Sequence, residues 1–175
     1  MKSPLTDPPL SGSEKELVLG YIKFQQQVFL RKIQSQQGSL LLADELLKKT
    51  LPPSTMTLKG MIAHLWFVED YWREEILLGQ GLPEPWQSMD WDADTDADWH
   101  TALSTDECVK HLQDSMQATH RLLETADWDE LSAGARKDGT RFSYRWVALH
   151  LIEEWARHLG HADLLRENID GDVGE

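Results

Sequence analysis

The sequence has one cysteine, few cations and no long apolar run, and each shortage excludes something. A lone Cys108 cannot close an intrachain disulfide, so the signature of a small secreted scaffold is missing. Lys and Arg number 17 against 30 Asp and Glu, are scattered along the chain, and leave a net charge of −13. Nucleic-acid binders gather cations on one face because phosphate contacts supply most of their affinity. The stretch Asp90-Trp91-Asp92-Ala93-Asp94-Thr95-Asp96-Ala97-Asp98 would repel a phosphate backbone and an acidic membrane surface alike. No apolar run approaches the roughly 18–20 residues that cross a bilayer. The opening Met1-Lys2-Ser3-Pro4 leads into a polar, Pro-rich arm rather than an apolar signal segment. Neither nucleic acid nor membrane is expected as a partner, and a cytoplasmic location is expected. The 175 residues suit a single domain over 1–175, long enough to bury roughly 68–70% of its unfolded surface.

Strand alternation is missing too, whereas helical periodicity recurs four times. After a flexible arm over 1–12, the first helix is expected from Ser13 to about Gln37. Ser13 with Glu16 forms a capping box, and Leu17, Tyr21, Phe24 and Val28 share one face. The second is expected from about Thr55, after Pro52-Pro53, to Leu78 before Gly79. The third starts at Ser104, capped with Glu107, and ends near Ala126. The fourth runs from about Ser143 to Asn168 and closes at Asp170-Gly171. Four such helices predict an all-α four-helix bundle. The connection over 79–103 far exceeds the 2–8 residues usual in bundles, so it reads as a crossover. Its Pro83, Pro85, Trp86, Trp91 and Trp99, in a chain with eight Trp, predict an ordered loop whose indoles cover the core or line a ligand.

The histidines divide by position. His100 ends the crossover and is expected to be exposed. His111 and His120 are too far out of phase on the third helix to share a site. On the fourth helix, His150, Glu154, His158 and His161 fall near 0°, 40°, 80° and 20°, at about 100° per residue. Polar groups on a core stripe cost desolvation unless they bind something, and i, i+4 spacing lets two side chains hold one ion. His150 and His161 are about 16 Å apart along the axis, so all four cannot hold the same ion. Spacing alone leaves two readings open, a metal site or a solvated stripe. His64 lies on the apolar face of the second helix with Met61, Val68 and Tyr71, where a lone core histidine is the ordinary occupant.

The run Met61-Ile62-Ala63-His64-Leu65-Trp66-Phe67-Val68-Glu69-Asp70-Tyr71-Trp72 resembles the second-helix motif of the DinB-like (YfiT-like) four-helix metalloproteins. The closing segment from Arg145 to Glu167 resembles the branch of mycothiol-dependent S-transferases. It includes His150-Leu151-Ile152-Glu153-Glu154-Trp155-Ala156-Arg157-His158-Leu159-Gly160-His161. The resemblance covers nearly the whole chain, crossover included. It implies a divalent metal held by one His of the second helix and two residues at i, i+4 on the last. Placing the family's His-x-Gly element on His158-Leu159-Gly160 implies His64, Glu154 and His158 as ligands, where many members use three His. Zinc is the leading metal for that set, with iron or nickel as alternatives. His150 and His161 are then expected around the ligands, Tyr71 and Trp72 as an aromatic wall, and Arg145 or Arg157 as anchors for a polar cosubstrate. The implied activity is activation of a low-molecular-weight thiol, of the mycothiol type, for attack on an electrophile or xenobiotic. No catalytic side chain is assigned, and Cys108 is expected to be a buried spectator. A metal-dependent hydrolase with Glu153 as base, and a non-enzymatic metal- or ligand-binding module, are the competing readings. A homodimer is compatible with such a bundle, though no stripe demands one.

Overall fold

The computed structural model describes residues 5–36 and 40–173. The first four residues of the arm and Gln37, the expected end of the first helix, lie outside them. The described chain is all-α: helices α1 (Glu14–Lys32), α2 (Asp44–Leu47), α3 (Leu58–Asp70), α4 (Thr105–Thr125) and α5 (Tyr144–Asp170). A π-helix over Tyr71–Leu77 continues α3, and 3-10 turns lie at Trp86–Ser88 and Ala97–Trp99. No strand occurs among the described residues beyond two isolated bridges, Gln34 with Leu41 and Leu131 with Ser143. None of their helices is long and apolar enough to cross a membrane.

Local chemistry sets the boundaries. Both capping boxes form: Ser13 and Ser104 hydroxyls accept the amides of Glu16 and Glu107, whose carboxylates accept the Ser amides in return. α1 stops at Lys32, short of the expected Gln37, because other groups take its last carbonyls. Arg166 donates to Lys32 O and Gln34 O at 2.6 Å, and Leu42 N–H to Ile33 O at 2.9 Å. α3 starts at Leu58 rather than Thr55, since the Thr57 hydroxyl accepts Gly60 N–H at 2.9 Å. α5 ends where Gly171, at φ 73°, returns its N–H to Glu167 O. α2 is a single turn that no periodicity announces.

The chain forms two compact units, and the divisions fall inside α3 and α5. The first holds α1, α2, the start of α3 and α5 from Ile152 onward. Its core includes Ile22, Phe29, Ile33, Leu47, Trp155 and Leu165, with Phe29 edge-on to Trp155 at 5.7 Å. Pro9 of the arm lies against Gly20, where a Cβ would come within 2.4 Å of Pro9 Cδ. Fully buried Arg166 also pairs with Asp170 and Asp172, so its desolvation is met on every side.

The second unit holds 62–151: most of α3, the π-helix, the crossover, α4 and the start of α5. Ile62, Leu65, Ile76, Trp86, Leu112, Leu123 and Val147 are among its buried residues. A polar knot sits among them. Asp70 accepts from Arg73 (2.7 Å), Trp86 Nε1 (2.9 Å) and Ser115 Oγ (2.6 Å), while Arg73 also donates to Ser115 O and Thr119 Oγ1. Burial alone would lower the Arg73 pKa, but the Glu74 and Asp70 carboxylates raise it above its ordinary value. The knot explains the first crossover indole: Trp86 is a core residue with its N–H spent on Asp70. The segment after α4 folds back at Ser132–Phe142 and bonds to the end of the π-helix, Ala133 N–H to Leu77 O and Gly134 N–H to Ile76 O, both 2.9 Å.

Candidate metal centre

In the first unit, α5 turns Glu154 and His158 the same way, as i, i+4 spacing requires. His158 Nε2 stands 3.5 Å from Glu154 Oε2, and His158 is buried. His161 lies one turn further, its ring 5.6 Å from that of His158. The His161 Nδ1 atom is buried and makes no hydrogen bond among the described residues. Exposed Arg157 is ion-paired with Glu153, which occupies both the expected anchor and the acid considered as a general base.

In the second unit, α3 carries His64 at a position only 18% exposed. Its Nδ1 meets Asp98 Oδ2 at 2.5 Å, and the indole of Trp99 stacks on its ring at 4.5 Å with 18° between planes. An ionised carboxylate only accepts, so Nδ1 carries the proton and Nε2 is left as the basic nitrogen. His150 belongs to an aromatic cluster, 4.7 Å from Trp72 and 4.9 Å from Trp146. Tyr71 packs on Phe67 and Trp72. Arg145 pairs with Asp129 at 2.7 Å, so neither expected arginine anchor is unengaged. Cys108 is a buried free thiol, as expected of a spectator.

Asp98 and the pairing of Trp99 with His64 were invisible to sequence reasoning. Asp98 closes an acidic run that reads as solvated surface, yet it is 4% exposed. The 3-10 turn Ala97–Trp99 aims both residues at His64, which precedes Asp98 by 34 positions. No local feature separates it from its acidic neighbours.

A model of the mycothiol S-transferase family matches residues 21–171. The chain belongs to that family. The match spans both units and every helix but the first turns of α1, in keeping with an all-α DinB-like fold. No protein of curated function matches the chain. The donor chemistry suits the divalent metal that the DinB-like resemblance of this mycothiol S-transferase family member implies. Two ligands at about 2.0–2.2 Å from a tetrahedral ion stand roughly 3.3–3.5 Å apart. The Nε2–Oε2 separation of 3.5 Å on α5 equals such an edge and is longer than an ordinary hydrogen bond. A His that gives its other ring N–H to a carboxylate is the usual arrangement behind a metal-binding imidazole, and His64 has it with Asp98.

Proposed function

We propose that the protein is a divalent-metal-dependent S-transferase in which His64, Glu154 and His158, each offering one donor atom, hold one ion. Zinc is the metal proposed, and a mycothiol-type thiol the cosubstrate, in line with the family. The observation that carries the reading is the Asp98–His64 pair, because a buried carboxylate spent on one imidazole nitrogen has a use when the other nitrogen is a ligand. Three protein ligands leave room for a fourth group, the mark of a catalytic rather than a structural site.

When bound, the metal supplies a lowered thiol pKa, making a thiolate available near neutral pH from a group whose ordinary value is about 8.5. The rest belongs to the chain. Asp98 fixes the His64 tautomer by holding the proton at Nδ1, and Trp99 covers one face of the ring against water. Glu154 adds one negative charge to two neutral imidazoles, which favours a dication over a monovalent ion. The thiolate then attacks an electrophile, in a single-domain protein placed in the cytoplasm, where low-molecular-weight thiols stay reduced.

The test is the metal content of the purified protein beside that of His64→Ala/Glu154→Ala/His158→Ala, followed by cobalt substitution and addition of a thiol. About one ion per chain, lost in the variant, with thiolate charge-transfer absorption in the cobalt form, is expected. Equal metal in both proteins would sink the three-ligand site. Metal bound without any response to thiol would leave a metal-binding helical module.

A further inference from the structure

The second unit contains a cavity of about 610 Å³ that none of the site chemistry above uses. Phe67, Tyr71 and Trp91 form its aromatic side, and Arg136 and Lys137 its cationic side. Phe67 and Tyr71 follow His64 by three and seven positions, which keeps them on the His64 face of the helix, Tyr71 about 10 Å further along the axis. The aromatic side is fixed before any ligand arrives. Trp91 donates its indole N–H to Trp86 O at 3.1 Å and lies 4.9 Å from Phe67.

The cationic side is equally prepared. The Arg136 guanidinium rests 4.8 Å from the centre of Phe142 and 5.9 Å from that of Trp72, a placement that spares it rotamer entropy. Its backbone is pinned on both sides, with Arg136 N–H donating to Thr140 O and Gly139 N–H to Arg136 O. Neither Arg136 nor Lys137 forms an ion pair among the described residues. The neighbouring acid, Asp138, is turned to its own loop, where it accepts Thr140 N–H at 2.9 Å and its pKa is lowered by that bond. Glu75 also lines the cavity and sets a like charge against any second anionic group.

We infer that this cavity binds a ring-bearing monocarboxylate, its ring against Phe67 and Trp91 and its carboxylate on the planar fork of Arg136. A guanidinium matches a carboxylate bidentately, which selects this group over a neutral isostere. The inference deepens the transferase reading, on which it rests for the role of the bound molecule: the carboxylate compound is the electrophilic acceptor. Its position on the His64 face of the helix is what suits it to that role.

The probe is trans-cinnamate, a ring-bearing acid with an electrophilic double bond, set against the neutral trans-cinnamamide. Binding is read by tryptophan quenching and calorimetry on the full chain, both as purified and after chelator treatment. Cinnamate is expected to bind at least about tenfold more tightly than the amide. Arg136→Ala should lose about tenfold for the acid and nothing for the amide, and Arg136→Lys should recover part of the loss. Trp91→Ala should weaken both ligands together. Equal affinity for acid and amide, no saturable binding of either, or an Arg136→Ala variant that binds cinnamate like the parent, each overturns the inference. Arg136 is exposed, so its variants are expected to fold, and unchanged circular dichroism checks this. Binding that survives chelation while the metal-content test fails would keep the cavity and remove the transferase reading. The reverse pattern would keep the transferase and discard this acceptor.

Discussion

Replacing Asp98 is the sharpest way to test what the buried carboxylate does. In Asp98→Ala the Nδ1–H of His64 loses a charge-assisted partner at 2.5 Å, and the imidazole loses both its fixed tautomer and its added basicity. Two routes give the magnitude. Removing the outer partner of a metal-bound His typically costs 10–100-fold in metal affinity, about 1.4–2.7 kcal/mol. A hydrogen bond to a charged group contributes about 1.5–3 kcal/mol, and the two ranges coincide. Trp99, stacked on the ring at 4.5 Å, still restrains its tilt and keeps the expected loss inside that range rather than above it. Asp98→Asn retains an acceptor oxygen without the charge and should fall between parent and alanine. The assay is zinc competition against a chromophoric chelator, at a pH where His is neutral, with circular dichroism as the check on folding. Zinc affinity in Asp98→Ala equal to that of the parent would refute the reasoning, since His64 would then be either no ligand or a ligand that needs no orientation.

Other expectations concern the scaffold. Arg73→Ala strips the buried Asp70 carboxylate of its ion partner and should cost about 3–5 kcal/mol in urea unfolding, with Asp70→Asn in the same chain recovering part of it. Gly134→Ala would bring a Cβ within 2.1 Å of Glu75 O, and a backbone atom cannot yield cheaply; more than about 2 kcal/mol of destabilisation is expected by the same measurement. Ser104→Ala removes the cap of α4 and should lower Tm by roughly 2–4 °C at neutral pH. The Glu107 carboxyl is held below its ordinary 4.5 by the Ser104 hydroxyl and amide. A depressed carboxyl adds stability above its unfolded value and loses it as pH falls through the folded one. The Tm gap between Ser104→Ala and the parent should therefore be full above 4.5 and shrink on acidification, and a gap that widens in acid would contradict the capping geometry.

The legible part of this protein was the part encoded within one or two helical turns. Ser13 with Glu16 and Ser104 with Glu107 announce the starts of α1 and α4, and both boxes form. Glu154 and His158 come together on α5 because their spacing permits nothing else. Everything that depends on distant partners was hidden. The end of α1 at Lys32 is set by Arg166, 134 positions later. Asp98 is one of several similar acids until α3 is folded beneath it. Trp86 and Trp99 follow the two courses that the loop's aromatic content left open, one into the core and one against a candidate ligand. Trp91, between them, lines a cavity whose cationic side comes from a turn after α4. The sequence offered Arg145 and Arg157 as anchors because they flank the histidines, whereas the unpaired cation is Arg136, far from them in the chain.

The π-helix makes this region sensitive to residue number as well as residue type. Over Tyr71–Leu77 the backbone closes bonds such as Leu78 N–H to Arg73 O at 2.9 Å, five residues apart rather than four. Each such turn stores more chain than an α-helical turn would. Deleting one residue there would let the backbone relax to ordinary α-helix, leaving His64 on its face while turning all that follows by about 100°. The carbonyls of Ile76 and Leu77, which anchor Ala133 and Gly134, would swing away from the turn that carries Arg136. An exposed side chain in this segment can be exchanged freely, but an indel of one residue separates two surfaces that only the count holds in register.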